Sequence, residues 1–312
     1  MLSQISAKWR IPYPDGKKLT ACLLRLVMYL MLIGLAFVFL YPYIYLLVTS
    51  FKSYEDVMNT VIKWIPQRFS PGNWVTAFKA LNFKKTFPNS VLVTLVSTAG
   101  HLISCSLAAY GFARFEFKGR SVLFFLVVFS IIVPVQTIIC PIYMIWTNVG
   151  AIGTYLPLLL PAFLGAGLKG GLYIFIFRQF FLRMPKSLEE AAFIDGCSEY
   201  GTFFRIIIPS SWTPFLVCFV LSIVWQWNDS FEPGLYITSA KDYLLPQMLP
   251  SMYTMFQELL NATTADTLQL AMTYHEGVAM AGTAICTIPL IIVYFFFQNR
   301  FMQGIERSGI TE

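Results

Sequence analysis

Long apolar segments without charge alternate with shorter polar segments along the whole chain. A bilayer core of about 30 Å needs roughly 20 apolar residues in helical form. Uncharged windows of at least that size cover 26–51, 86–113, 121–168, 206–228 and 277–299, and the third is long enough for two helices. The alternation over about 10 residues that is typical of barrel strands is absent from the sequence. The pattern therefore predicts six transmembrane helices, at about 26–48, 89–112, 121–146, 155–178, 208–230 and 278–298.

Composition agrees with an integral membrane protein. Of the 312 residues, 57% are apolar and 12% are charged, and the mean hydropathy is +0.65. Soluble domains average about 25% charged residues, so a soluble enzyme, a disordered chain and a nucleic-acid-binding protein are disfavoured, and the lipid bilayer is the expected environment. The six cysteines are scattered without a pairing pattern, and His101 and His275 lie far apart. We therefore expect neither a disulfide framework nor a metal site.

The positions of lysine and arginine predict the orientation. With the N-terminus inside, 14 of the 22 basic residues fall in cytoplasmic segments, 7 fall in outer segments, and Lys169 is left within the fourth predicted helix. The segment 52–85 is basic although it lies outside, which weakens the bias without reversing it. The positive-inside rule thus predicts a multi-pass protein with both termini in the cytoplasm. We find no internal repeat or linker, and expect one domain over 1–312.

The polar segment 179–209, between the fourth and fifth predicted helices, has the pattern of a helix–turn–helix elbow. Ser187 stands three residues before Glu190, which is the spacing of a capping box, so a helix is predicted to begin there. The two alanines after Glu190 have small side chains, so the backbone of another protein can approach the helix closely there. Gly196 can adopt the positive φ that ends a helix, and a second short helix is predicted over about 198–205. An ordinary connecting loop is the alternative interpretation.

The same segment resembles the EAA loop of bacterial ABC importer permeases. The shared pattern is Glu-Ala-Ala at 190–192, glycine at 196 after three residues, and Ile-x-Ile-Pro at 206–209 after nine more, where the family has Leu in place of Ile208. In that family the loop is the coupling helix that docks into a cleft of the ATPase subunit. The resemblance implies that two ATPase subunits dock on 187–205, and that the docking residues are Glu190, Ala191, Ala192, Asp195 and Gly196.

Other stretches resemble the carbohydrate-uptake, maltose-type branch of these permeases, and within it the shorter six-span subunit of a permease heterodimer. They lie at 109–120, 133–155, 227–229 and 298–309, so that the similarity extends over nearly the whole chain from about residue 30. The resemblance implies an all-α, type I ABC importer permease fold with a cytoplasmic coupling loop at 179–209. The family often ends in a short C-terminal tail that contains Gly and Lys, and in this chain 306–312 have a different sequence at that place.

The resemblance also implies a function and a set of partners. The expected protein is a subunit of a binding-protein-dependent importer of an oligosaccharide in the cytoplasmic membrane of a bacterium. Its partners would be a second homologous permease, the two ATPases, and an extracytoplasmic sugar-binding protein on the outer loops. The glycines at 165–171 do not form a P-loop, because Gly171 and Leu172 stand where Lys and Ser or Thr are needed. ATP and Mg²⁺ would therefore be bound by the partner ATPases, and no catalytic residue or cofactor is expected in this chain.

Polar and aromatic residues at membrane depth are candidates for the substrate pathway. Lys169 lies nine residues before Arg178, about 13 Å along a helix, and an ionisable residue within the membrane is by default a functional hypothesis. A lysine that lines a cavity would attract an acidic, uronate-bearing sugar, whereas a lysine that snorkels or pairs with the partner permease would be structural. The candidate pathway residues are Lys169, Gln136, Trp225, Trp227 and Asn228, although interfacial tryptophans and helix–helix hydrogen bonds explain some of them equally well.

Three other functions remain open from the residues. The first is an ABC permease for glycerol-phosphate-like or other anionic solutes, with which Lys169 is compatible. The second is a secondary transporter, which would normally show repeated halves and ion sites at the midplane. The third is a membrane-embedded enzyme, which would need clustered Asp, Glu or His at membrane depth.

Overall fold

The computed structural model describes residues 18–59, 64–167, 169–252, 254 and 272–309. In this part of the chain the regular structure is helical, and the one β-contact is an isolated bridge between Lys52 and Phe69. The helices are α1 (Lys18–Ser50), α2 (Tyr54–Met58), α3 (Gly72–Ala80), α4 (Phe83–Arg114), α5 (Arg120–Ile132), α6 (Val135–Asn148), α7 (Leu156–Phe163), α8 (Gly170–Arg183), α9 (Ser187–Ile194), α10 (Glu199–Thr202), α11 (Trp212–Asn228), α12 (Phe231–Tyr236) and α13 (Glu276–Gly309).

Three helices are long and apolar enough to cross a membrane by themselves. They contain the segments Cys22–Ser50, Phe83–Arg114 and Glu276–Asn299, which cover the first, second and sixth predicted spans. Two bent pairs of helices raise this number to as many as five if each pair is one span. The six-span arrangement therefore stays a prediction.

The third predicted span is bent where the sequence suggested a single helix, and the fifth predicted span starts at a second bend. α5 and α6 meet at an angle of 104° around Val133 and Pro134. Val133 has an extended backbone with ψ 119°, because the residue before a proline is pushed out of the helical region. The segment that leads out of α10, which includes a π-helical turn over Phe203–Ile207, meets α11 at 78°. The first bend therefore follows from the proline at 134, and the second adjoins a π-helical turn, features that hydrophobic periodicity does not encode.

The fourth predicted span, at 155–178, consists of two helices with an interruption. α7 ends at Phe163, α8 begins at Gly170, and α8 continues to Arg183, beyond the predicted end. Gly165 and Gly167 in the interruption both have positive φ, a conformation that glycine adopts without steric cost. Lys169 is therefore the N-cap residue of α8 rather than a residue inside a continuous helix.

α4 is the central helix of the described part. It packs against α7, α8 and α11, while α13 packs against α1, α3 and α11. The largest buried apolar cluster lies where α4, α8 and the π-helical turn meet, around Tyr173, Phe177, Phe181 and Phe203. By contrast, the side chains of α1 are exposed over most of its length, and burial begins only near Thr49 and Ser50.

Candidate functional site

The elbow predicted at 179–209 is present as α9, a turn, and α10. The turn contains Gly196 with φ 82°, and Ser198 caps α10 by accepting a hydrogen bond from the Gly201 backbone N–H at 3.2 Å. α9 begins at Ser187 as predicted, but the predicted capping box is absent, because Lys186 is the N-cap residue and the Ser187 side chain makes no capping bond. The chain already turns after Pro185, and the Glu189 N–H donates to the Lys186 carbonyl at 2.9 Å, which places Ser187 inside the helix.

A buried ion pair joins the elbow to the end of α4. The Arg114 Nε donates to the Glu189 Oε1 at 2.7 Å, and the Arg114 Nη2 donates to the Met184 carbonyl at 2.9 Å. The two side chains are only 7% and 10% exposed. Nothing in their spacing of 75 residues indicates that they are partners.

The outward face of the elbow is small and accessible. Four of the five predicted docking residues are exposed, namely Glu190, Ala191, Asp195 and Gly196, whereas Ala192 is buried beneath them. Ile194 beside them is 86% exposed. The inward turn of Glu189 and Ala192 and the outward turn of their neighbours follow from the helical period of 3.6 residues. The result is an accessible surface with the two carboxylates of Glu190 and Asp195, the small residues Ala191 and Gly196, and the apolar side chain of Ile194.

A cavity of about 350 Å³ adjoins the elbow between α4 and α10. Its lining is mostly apolar and aromatic, with one carboxylate at the side of α10. The lining residues are Leu107, Tyr110, Gly111, Phe115, Glu199, Tyr200 and Phe203.

Side chains of α4 also hold the interruption between α7 and α8. The Ser104 Oγ donates to the Ala162 carbonyl at 2.6 Å, and the Cys105 Sγ donates to the Gly170 carbonyl at 3.6 Å. The His101 Nε2 lies 3.0 Å from the Ala166 carbonyl and its Nδ1 lies 3.3 Å from the Ser222 Oγ. A carbonyl only accepts, so the Nε2 carries the proton and, in the neutral ring, the Nδ1 accepts from Ser222. His101, to which the sequence analysis assigns no role, thus fixes the loop before Lys169.

Lys169 and Trp225, both predicted pathway residues, are brought together. The Lys169 Nζ lies over the Trp225 ring, 4.5 Å from its centroid, and no ion pair of Lys169 is found within the described residues. A cation over an aromatic face is stabilised by about 0.5 to 2 kcal/mol. The Lys169 backbone is left-handed with φ 65° and ψ 17°, which costs a residue with a Cβ atom on the order of 1 kcal/mol.

The other predicted pathway residues are separate from this pair. Trp227 is two residues from Trp225 on α11 and therefore points about 200° away from it. It is buried, and its Nε1 donates to the Cys286 carbonyl at 2.9 Å. Asn228 is exposed and donates to the Val224 carbonyl at 2.9 Å, and Gln136 is exposed near the start of α6. Helical periodicity alone could have separated the two tryptophans, although it could not have said which one is buried.

Glu232, in α12 just beyond the fifth predicted span, has an altered acidity. Burial, together with the nearby Asp229 carboxylate, raises its pKa from the usual 4.5 to about 7. The Asp229 Oδ1 accepts from the backbone N–H groups of Phe231 and Glu232 at 3.0 and 3.4 Å, which holds the two carboxyl groups close together.

This raised pKa predicts a pH dependence of stability. Between about pH 5 and about pH 7 the folded protein keeps a proton on Glu232 that the unfolded chain releases, so stability falls as the pH rises through this range. We expect Glu232→Gln to raise the melting temperature of the purified protein at about pH 8, with a smaller effect at about pH 5. Melting curves of both proteins over this range test the expectation. An equal difference between them at every pH would contradict it.

Comparisons with known proteins place these features in context. Residues 100–307 match the family described as "Binding-protein-dependent transport system inner membrane component". The chain is 32% identical to Protein LplC of Bacillus subtilis (strain 168), over 87% of this chain and 89% of that protein. It is 27% identical to the arabinooligosaccharides transport system permease protein AraQ of Halalkalibacterium halodurans, over 88% of this chain and 92% of that protein.

A solved structure has a similar fold. It belongs to a bacterial ABC transporter involved in the import of the acidic polysaccharide alginate, and the superposition has a TM-score of 0.75 at 21% sequence identity. The similarity covers 93% of this chain and 100% of that one.

Proposed function

This chain belongs to the family of binding-protein-dependent transport system inner membrane components, and we propose that it forms the membrane pathway of an oligosaccharide importer together with a second permease. The resemblance to ABC importer permeases and the all-α fold, both predicted from the sequence, are confirmed by the family match and by the solved structure of similar fold. The relative that transports arabinooligosaccharides supports an oligosaccharide as substrate. The comparisons do not favour a secondary transporter or an importer of glycerol-phosphate-like solutes.

The observation that carries this proposal is the anchored elbow. Its accessible face offers Glu190, Ala191, Asp195 and Gly196, and its buried side is attached to α4 by the pair of Arg114 with Glu189. A surface that receives force from another subunit must be accessible on one side and firmly connected on the other. The elbow meets both requirements, whereas an ordinary connecting loop needs neither.

Partners and orientation follow from this assignment. Two separate ATPase subunits bind and hydrolyse ATP with Mg²⁺, and one of them docks on 187–205 of this chain. The extracytoplasmic sugar-binding protein contacts the outer segments 52–88 and 232–276, of which 60–63, 253 and 255–271 lie outside the described residues. The chain forms one domain with six spans in the cytoplasmic membrane of a bacterium, and both termini are cytoplasmic.

The substrate pathway passes the interruption between α7 and α8. Lys169 and Trp225 are the central pair, and the exposed side chains of Gln136 and Asn228 are further candidates. Trp227 supports the pathway from behind, since its ring edge packs against Phe87 at 6.0 Å between centroids and its N–H is bonded to the backbone of α13.

Reconstitution tests the proposed function directly. The complete assembly of both permeases, the ATPases and the binding protein is placed in proteoliposomes, and uptake of a panel of labelled oligosaccharides is followed with and without ATP. We expect uptake that needs both ATP and the binding protein, and ATPase activity that the loaded binding protein stimulates. Uptake that persists without the ATPase subunits would overturn the importer assignment.

A bulky residue on the elbow tests the docking surface. We expect Ala191→Trp to lower the amount of ATPase that copurifies with the permeases by about tenfold or more, because the new side chain prevents close approach of the two surfaces. Ala191 is exposed, so the permease itself should still fold. Val75→Trp adds the same side chain at an exposed position of α3 and serves as the matched control. Equal ATPase recovery from the two variants would place the docking surface elsewhere.

A further inference from the structure

We propose that Lys169 makes the pathway selective for anionic oligosaccharides. In this proposal the Lys169 ammonium leaves the Trp225 ring and forms an ion pair with a sugar carboxylate. The ring face that the ammonium covered then packs against the sugar. The inference rests on the proposed function, since it names the chemical class of the substrate that the same pathway accepts.

The backbone around Lys169 does not explain why a lysine stands there. Lys169 and Asn82 are the two non-glycine residues with positive φ in the described part of the chain. Gly165 and Gly167, just before Lys169, adopt positive φ without a Cβ atom, and glycine at 169 would relieve the same strain. A lysine at this position therefore has a higher conformational energy than a glycine would have. What lysine provides and glycine does not is a charged side chain.

The backbone that carries this charge is held by α4. His101 and Ser104 hold the carbonyls of Ala166 and Ala162, and Cys105 holds the carbonyl of Gly170 directly after Lys169. The loop is thus bonded on both sides of Lys169 to one helix. A charge that a rigid support holds in place contributes to recognition without a large ordering cost.

The charge is also available to a ligand. Within the described residues no carboxylate lies within 4 Å of the Lys169 ammonium, which is in contact with an aromatic face instead. An ion pair with additional hydrogen bonds is stronger than a cation–aromatic contact in a poorly hydrated site. A carboxylate that arrives there can therefore displace the ring.

Trp225 restricts the ligand to a sugar acid rather than any anion. Its side chain is 43% exposed, and an indole ring offers a flat apolar surface to the C–H face of a pyranose. A uronic acid unit presents such a face and a carboxylate on the same ring. Small anions such as glycerol phosphate carry a charge but have no sugar ring, so they would bind the Lys169 ammonium without packing against the Trp225 ring.

Matched pairs of substrates test this inference in the reconstituted assembly. Each pair consists of an acidic oligosaccharide and its methyl ester, which has the same size without the charge, drawn from oligogalacturonides, oligomannuronates and oligoglucuronides. Uptake kinetics are measured for wild type, Lys169→Met and Lys169→Arg with the same binding protein. A difference between variants then reports on the permease and not on selection by the binding protein.

We expect wild type to prefer the free acid of at least one pair. Lys169→Met should lower kcat/KM for that acid by about tenfold or more, which is the size of a lost charged hydrogen bond, and should lower kcat/KM for the ester much less. Lys169→Arg should keep most of the preference. Trp225→Leu should lower uptake of acid and ester alike, because it removes the packing surface but not the charge.

Several results would overturn the inference. They are wild-type uptake that favours no free acid over its ester, an equal loss of acid and ester uptake in Lys169→Met, and a loss of copurifying partner permease in that variant. Each of these would make Lys169 structural while the importer function stands. A wild-type assembly that takes up no oligosaccharide at all with ATP would instead refute the proposed function, and the inference with it.

Discussion

Arg114→Ala is expected to give the largest loss of stability and transport of any single substitution considered for this protein. The variant leaves the Glu189 carboxylate buried without its partner, and removing one member of a buried ion pair typically costs about 3–5 kcal/mol. It also removes the bond from Arg114 to the Met184 carbonyl. We expect a lower melting temperature of the purified assembly and ATP hydrolysis that no longer drives uptake.

The chain offers a matched control for this substitution. Arg68 forms an ion pair with Glu55 at 2.6 Å, nearly the same distance, but the two side chains are 73% and 69% exposed. Exposed pairs contribute about 0–1 kcal/mol, so Arg68→Ala should melt close to wild type. Similar melting temperatures for the two variants would contradict a structural role of the buried pair.

A double substitution separates stability from coupling. Arg114→Met with Glu189→Leu replaces the buried charges by apolar side chains, which usually restores most of the lost stability. We expect this protein to assemble with its partners but to transport poorly, because the directed bonds between α4 and the elbow are missing. Full transport by the double variant would mean that packing alone is sufficient for coupling.

Gly171→Ala is expected to give the second large effect, at the contact between α5 and α8. A Cβ atom at this position would lie 2.7 Å from the Ser130 Oγ and 2.9 Å from the Val127 carbonyl oxygen. The serine can rotate, whereas the carbonyl belongs to the backbone of α5 and can yield only if the helix moves. Overpacking of this kind typically costs about 1–3 kcal/mol. The melting temperature of the assembly should fall accordingly.

Gly111→Ala is the control for this substitution. Gly111 lies within α4, and a Cβ atom added there would meet nothing within 4 Å. Alanine at such a helical site usually stabilises by about 0.5–1 kcal/mol relative to glycine, so the expected sign is opposite to that at Gly171. If both variants melt at the same temperature, the close contact of α5 with α8 is not a determinant of stability.

The elbow was the part of the candidate site that the sequence predicted best. Its turn depends on local chemistry, namely a glycine with positive φ at 196 and a serine cap at 198, and local rules describe such positions well. The burial of Glu189 could not be predicted in the same way. It depends on Arg114, which is 75 residues distant in sequence and becomes a neighbour only after α4 and α8 have packed together.

The pattern of apolar windows predicted the positions of the long helices well, but it did not predict where helices are interrupted or bent. Apolar windows indicate length and hydrophobicity, and the long helices α1, α4 and α13 lie where such windows occur. The window through 155–178 is equally apolar, and yet its helix is interrupted for six residues before α8. The glycines of the interruption permit its conformation, but the side chains that hold it belong to another helix, which an apolar window does not indicate.

The bonds that α4 makes at two separate places have a mechanical consequence. His101, Ser104 and Cys105 bind the loop that carries Lys169, and Arg114 binds the elbow nine residues after Cys105, about 13 Å further along the same helix. A helix of that length is nearly incompressible along its axis. In the proposed importer, α4 is therefore expected to transmit a displacement of the elbow directly to this loop. On this expectation, no relay of successive side-chain rearrangements is needed between the elbow and the loop that carries Lys169.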